Sequence, residues 1–289
     1  MGEFYGQVLV GAPGSGKTSY CMNVLERYKD SRNVIAVNLD PANDLGIENF
    51  LIDIRELVTV ESAMKTHDLG PNGAILHCIN VLWMNKKWLL DRLSQHSDSY
   101  VIFDCPGQLE LFYCESSLKE VLNFLEKSNY RLVVVNFIDV TFCSSPSTFI
   151  GCVIDCLSIM LHLEMPQVNV LSKIDLLISS VTLDFPLELY LDLNGLNHLV
   201  NSTDCLLDRF KEITEQIVSV VDDYSLVSFI PLSIHDNFCM ADVLLECDKA
   251  NGFIFGRDSE SKVEKMFMNA FTDMVYDRIE NIKSKYIDI

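Results

Sequence analysis

Positive charge is scarce in this sequence: Lys and Arg together number 22 against 41 Asp and Glu, a formal net charge of −19 over 289 residues. So acidic a chain repels phosphate backbones, which argues against direct nucleic-acid binding and means that any anionic ligand must be held by local devices. Long uninterrupted apolar runs are lacking too. "YRLVVVNFIDV" at 130–140 is strand-sized and ends toward a carboxylate, so a soluble chain with no membrane partner is expected. "FYGQVLVG" at 4–11 is not preceded by a basic region, an apolar core or a small-residue cleavage site, so no secretory route and a cytoplasmic location are expected. The ten cysteines, at 21, 78, 105, 114, 143, 152, 156, 205, 239 and 247, include no C-x-x-C pair. They read as small buried hydrophobes in a reducing compartment rather than as metal ligands. Asn201-Ser202-Thr203 spells a glycosylation acceptor, which without a secretory signal reads as a polar loop or helix end.

What is present is an alternation. Apolar β-type runs at 5–10, 33–38, 99–104, 131–137, 167–171 and 226–231 suit strands buried on both faces. Helical spacing occupies 17–29, 73–95, 115–127, 147–163, 203–221 and 236–249. This order predicts an α/β fold, a mostly parallel sheet with helices on both faces, in a single domain over 1–289. Residues 39–98 exceed an ordinary crossover and read as a mostly helical insertion, in which Gly70-Pro71-Asn72 would bend the chain between helical flanks at 54–67 and 74–95. Apolar residues from Val263 to Ile279 recur at helical spacing and predict a packed C-terminal helix over 259–286.

Gly11-Ala12-Pro13-Gly14-Ser15-Gly16-Lys17-Thr18 matches G-x-x-x-x-G-K-[ST] in full, directly after a strand and directly before a helix. Glycines let such a loop wrap with its N–H groups inward, and the helix adds its positive end, so phosphate oxygens meet preorganised neutral donors. Pro13, Gly14, Ser15, Gly16, Lys17, Thr18 and Ser19 are therefore the candidate phosphate cradle. Lys17 would bridge the β- and γ-phosphates, and Thr18 would offer a hydroxyl to Mg²⁺. In "SYVIFDCPGQLELF", Asp104 ends a buried-type strand, where its carboxylate can reach the metal shell through water. Gly107 completes a D-x-x-G spacing and offers an N–H with little bulk, and Gln108 could position a water.

"NVLSKIDLL" carries Ser172, Lys173 and Asp175 after another apolar strand. The Asp175 carboxylate can accept both the N1–H and the exocyclic amine of guanine, a pair of donors adenine does not present, while the stem of Lys173 lies over the base plane. Ser233, in "SFIPLSI", would add a backbone contact to the base. Asp40 ends the second strand before Pro41, where it either helps order an attacking water or the metal shell, or simply caps a turn.

With "GAPGSGKTSYC", "VNLDPAN", "GPNG", "DCPGQLELF", "LSKIDL" and "IPLSI" in this order, the chain resembles the GPN-loop GTPases over nearly its whole length, and most closely their second-type eukaryotic branch. The resemblance implies a P-loop NTPase three-layer sandwich that hydrolyses GTP to GDP with Mg²⁺ as cofactor. It implies a dimer as well, a homodimer or a heterodimer with a paralogue, in which Gly70, Pro71 and Asn72 enter the partner's nucleotide site and Asn72 places its amide on the γ-phosphate or the departing phosphate. Asp40, Asn72 and Gln108 are then the candidate catalytic set. Ser172 stands where the wider GTPases carry Asn in N-K-x-D, which leaves the contact to the base N7 open. The implied cellular role is assembly and nuclear import of RNA polymerase II, with chaperone partners and shuttling to the nucleus. The residues leave two other readings: a P-loop nucleotide or small-molecule kinase, against which the scattered arginines with no lid-like cluster speak, and a noncatalytic scaffold that holds nucleotide without turning it over.

Overall fold

A computed structural model of the chain describes residues 3–113, 116–193, 196, 205–224, 227–256 and 278–287. The chain forms two compact units, one of Met1–Phe137, Ile159–Gln167 and Cys247–Phe253, the other of Ile138–Ser158, Val168–Glu246 and Ile254–Ile289.

The first unit contains β1 (Phe4–Gly11), β2 (Val34–Asn38), β3 (Ile52–Asp53), β4 (Tyr100–Asp104) and most of β5 (Tyr130–Asp139), in the order β3-β2-β4-β1-β5. Every pair among them is parallel. Its helices are α1 (Lys17–Tyr28), α2 (Val60–His67), α3 (Pro71–Met84), α4 (Lys86–Ser94), α5 (Glu110–Tyr113) and α6 (Ser116–Lys127). Side chains alternate along each strand. Val8, Val37, Val101, Phe103 and Val134 thus share a core with residues of α3, α4 and α6. Gln7, Tyr100 and Asp104 fall on the opposite face with α1. There the Tyr20 hydroxyl donates to Gln7 Oε1 at 3.1 Å, and Gln7 Nε2 donates to the Tyr100 hydroxyl at 3.2 Å. Asn251 Nδ2 donates to the same hydroxyl at 2.9 Å. A parallel sheet with helices on both faces is the three-layer α/β architecture that the alternation predicts.

Local chemistry sets the insertion's breaks. Thr59 and Ser62 form a capping box at the start of α2, and Asp68 ends it in the left-handed region at φ 53°. Gly70 is the N-cap of α3 and Pro71 its first residue, a position where proline loses no helical hydrogen bond. Gly70-Pro71-Asn72 is therefore the first turn of a helix, placed at the bend between α2 and α3. The helix expected over 73–95 divides at Asn85, whose Nδ2 donates to the Val81 carbonyl at 2.8 Å and so competes with the backbone ladder. The two-residue β3 inside this mostly helical stretch is too short to leave a pattern in sequence.

The second unit holds the parallel pair of β6 (Gln167–Ser172) and β7 (Phe229–Leu232), with Ser172 opposite Leu232. The Phe149 ring lies 4.9 Å from Tyr190 and 5.8 Å from Phe229. Later helices are α7 (Pro146–Leu163), α8 (Leu187–Asp192), α9 (Cys205–Tyr224), α10 (Asn237–Asn251), α11 (Phe253–Gly256) and α12 (Arg278–Tyr286). At 18 residues and mean hydropathy 1.5, α7 is long and apolar enough to cross a membrane, although Asp155 and His162 interrupt its apolar run and 44% of it is buried within the protein. Of the helix predicted over 259–286, α12 is described; 259–277 and Asn201-Ser202-Thr203 lie outside the described residues. Cys21, Cys78, Cys105, Cys143, Cys152, Cys156, Cys239 and Cys247 are buried thiols outside any disulfide, and among the described residues no cluster could hold a metal ion through His, Cys, Asp and Glu alone.

The buried polar chain under α1 gives a stability prediction. Tyr20→Phe removes the donor from Gln7 Oε1, which sits at 0% exposure, and should cost about 1–3 kcal/mol in urea unfolding. A variant as stable as the parent would mean that this hydrogen bond contributes nothing.

Candidate functional site

Parallel register sets both Leu9 and Asn38 opposite Asp104. The loops that leave β1, β2 and β4 therefore emerge side by side at the carboxyl edge of the sheet, where open α/β sheets bind their ligands. In the loop after β1, Gly11, Gly14 and Gly16 have φ of +141°, +75° and +100°. A Cβ on Gly11 would lie 2.5 Å from the Phe137 carbonyl oxygen, whereas at Gly14 and Gly16 it would meet nothing within 4 Å. Close approach excludes a side chain at the first, and backbone angle alone disfavours one at the other two. Gly16 caps α1 without a side-chain hydrogen bond, leaving the helix's positive end facing the loop.

Lys17 is buried, and its Nζ donates to the carbonyls of Gly11 at 2.8 Å and Ala12 at 3.0 Å. Burial lowers its pKa, opposed by the nearby Asp104, Cys105 and Asp40. Thr18 Oγ1 donates to Asp104 Oδ2 at 2.7 Å, and Asn43 Nδ2 donates to the same oxygen at 3.2 Å. Asp104 Oδ1 is buried without a hydrogen-bond partner. Burial pushes this carboxyl up to about 6, against the pull of Thr18, Lys17 and Asn43. An unclaimed buried carboxylate oxygen beside a threonine hydroxyl fits the shell of a hard cation.

Asn43 escaped the sequence reading. Its place depends on Arg55, whose guanidinium bonds both Asp53 oxygens at 2.9 and 2.7 Å and the carbonyls of Asn43 at 2.9 Å and Leu45 at 2.7 Å. Asn38 Nδ2 also donates to Asp53, at 2.9 Å. The one sequence signal for this cluster is polarity where none is expected, Asn38 and Asp53 at the ends of buried strands. For Asp40, the turn role is the one observed: Oδ1 accepts from Ala42 N at 2.9 Å. Burial raises its pKa, while the Ala42 N–H, Lys17 and Arg55 oppose the rise.

The D-x-x-G loop packs onto the first loop, since a Cβ on Gly107 would lie 2.8 Å from Pro13 N. Gln108 Nε2 donates to Asn72 Oδ1 at 3.0 Å, in an exposed position. Residues 36 apart in sequence thus meet within one chain. Pro13, Gly14 and Ser19 are exposed around this edge, and Ser15 is buried.

The second unit carries the other candidates. Ser172 Oγ donates to the Ile138 carbonyl at 3.0 Å. Lys173, in the left-handed region at φ 59°, pairs its ammonium with Asp139 at 2.7 Å. Burial pushes the Asp139 carboxyl up, but Lys173 and the Thr141 donors outweigh it and hold the group below its usual value. Asp175 lies half-buried in the first turn of a 3-10 helix, Ile174–Ile178. Ser233 follows β7 at 0% exposure, its Oγ accepting from His235 N at 3.3 Å. The register of β6 and β7 sets Ser172 and Ser233 at neighbouring strand ends.

Residues 9–253 match a family profile described as "Conserved hypothetical ATP binding protein". GPN-loop GTPase 2 of Danio rerio is 40% identical over 98% of this chain and 93% of its own length. GPN-loop GTPase QQT1 of Arabidopsis thaliana is 41% identical over 98% of this chain and 97% of its own length. Among solved structures, PAB0955, a GTPase in apo form from Pyrococcus abyssi, aligns with a TM-score of 0.68 over 85% of this chain and 97% of that one. At 23% identity that likeness shows a common fold.

Asp104 makes the stability of the nucleotide-free protein depend on pH. Its carboxyl titrates near 3.8 when unfolded and at about 6 when folded. Between those values the native state binds a proton that the unfolded chain does not, so this group's contribution to stability rises as pH falls from about 7 to about 4. Asp104→Asn should be more stable than the parent at about pH 7, by up to about 3 kcal/mol, and should lose that part of the pH dependence. Urea unfolding across this range measures both; identical pH slopes for parent and variant would contradict it.

Proposed function

The chain belongs to the GPN-loop GTPase family, and from that premise we propose that it is a GTP-hydrolysing switch that works as a dimer. The observation that carries the reading is the convergence of Lys17, Thr18 and Asp104 at one sheet edge, with Asp104 Oδ1 unclaimed. The amides of the Gly11–Thr18 loop would receive the β- and γ-phosphates, and Lys17 would exchange its loop carbonyls for phosphate oxygens. Mg²⁺ would be held by the Thr18 hydroxyl and, through water, by Asp104; bound there, it neutralises charge on the β- and γ-phosphates. Gly107 would give its N–H to the γ-phosphate, and Gln108 would orient the attacking water. Asp40 would complete the polar wall on the water's side.

Asp175 supports guanine over the adenine named in the family profile. Its carboxylate suits guanine's paired donors, whereas adenine presents an acceptor at N1 that a carboxylate repels. The resemblance supplies the remaining parts: pairing with a second copy or a paralogue, entry of Gly70-Pro71-Asn72 into the partner's site, and a role in RNA polymerase II assembly and import with chaperones, shuttling between cytoplasm and nucleus.

Two experiments test the chemistry. Lys17→Ala should lose GTP affinity, whereas Gln108→Ala should keep most affinity and lose turnover, because water positioning matters only in the transition state. Equal losses of binding would sink the role of Gln108. Asn72→Ala should bind GTP normally and hydrolyse it about 10²–10³-fold more slowly, for want of one preorganised donor. Mixing Asn72→Ala with Gln108→Ala under demonstrated subunit exchange then separates two arrangements. A loop acting in trans rebuilds one intact site per mixed dimer and restores activity; the Asn72–Gln108 contact acting within one chain leaves a lesion in every site, and the mixture stays slow.

A further inference from the structure

The two loops assigned above to the base share a third support that no motif announces. Helix α12 packs against Ile174–Ile178, the turn that carries Asp175. Lys285 Nζ on the same helix donates to Asp236 Oδ2 at 2.7 Å, and the Tyr286 hydroxyl reaches that oxygen at 3.4 Å.

Asp236 is well placed to transmit such a grip. Its N–H donates to the Ser233 carbonyl at 3.1 Å, and its Oδ1 accepts from Phe238 N at 2.9 Å at the start of α10. Fixing its side chain therefore fixes the turn from Ser233 into the following helix. The far side of α12 is anchored independently: Lys283 pairs with Glu188 on α8, and Ile282 is buried at 2% exposure. Partial burial of the Tyr286 phenol pushes its pKa up to about 12.

We propose that α12 is a clamp on the base-reading loops, and that Lys285 and Tyr286 are positioning residues for guanine selectivity. The inference rests on the guanine assignment made above. Lys173 already holds its loop in a left-handed conformation that an L-residue adopts only under constraint. With Asp175 and Ser233 braced by one helix, the donors and acceptors around the base are fixed before the base arrives, which lowers the cost of ordering them on binding. Loosening the brace should weaken what the base contributes and leave the phosphate contacts alone.

The test compares the full-length parent with Lys285→Met, Tyr286→Phe, their double variant and Lys285→Arg, measuring dissociation constants for GDP and ADP with Mg²⁺ alongside melting temperature. Lys285→Met and the double variant should weaken GDP binding about 2- to 30-fold with little change for ADP, so that GDP-over-ADP discrimination narrows by the same factor. Lys285→Arg, which keeps the charge on Asp236, should restore most of the discrimination. Lys283→Ala loosens the same helix at α8 without touching Asp236; it should lower the melting temperature more than it lowers discrimination. If the variants melt earlier yet discriminate as the parent does, α12 is structural only and the clamp is wrong. Equal weakening of GDP and ADP would overturn it too. If the parent itself fails to prefer GDP over ADP, the guanine reading falls first, and the clamp with it.

Discussion

A carboxylate with no solvent contact and only one oxygen satisfied is expensive, and Asp104 is such a group. Much of the first unit is arranged to tolerate it. The β2-β4-β1 order sets Asp104 in the middle of three carboxyl ends. Strand alternation turns it to the α1 face, where Thr18 donates, and the Arg55 cluster shapes the loop that delivers the Asn43 amide. Both donors address Oδ2. What remains is a fixed acceptor beside a hydroxyl, bounded by a loop of backbone amides, which is strain kept where a cation and a polyphosphate can relieve it.

The same arrangement resolves how a chain of net charge −19 can take an anion. Its attraction does not come from a basic surface. It comes from neutral N–H groups aimed by glycines at positive φ and from one buried ammonium that is held by carbonyls rather than by a carboxylate. In the second unit, by contrast, two ammonium groups pair with carboxylates, Lys173 with Asp139 and Lys285 with Asp236, and these ion pairs flank the loops bearing Asp175 and Ser233.

The parts legible in the sequence are those whose chemistry is local. Gly14 and Gly16 are dictated by their own backbone angles, the buried strands by continuous apolar runs, and the start of α3 by Gly70-Pro71. Asp104 could be placed because it ends an apolar strand and opens a D-x-x-G spacing downstream of the Gly11–Thr18 loop. What could not be read depends on partners distant in sequence. The Asn72–Gln108 and Asn43–Asp104 contacts join residues 36 and 61 apart, and Lys285 meets Asp236 across 49. Nor does periodicity reveal that Asn85 would spend its side chain on Val81 and divide one helix into two. The expected role of Asp40 in ordering water has a competing demand, since one of its oxygens already closes a turn at Ala42.

Under the proposed function, this edge of the sheet hydrolyses a nucleoside triphosphate and Asp175 selects GTP. The most direct test is phosphate release under single-turnover conditions with Mg²⁺, GTP and ATP compared in parallel on the full-length protein. Phosphate should be released from GTP, little from ATP, and none from either after magnesium is chelated. Equal release from ATP, or release from GTP that survives chelation, would contradict it.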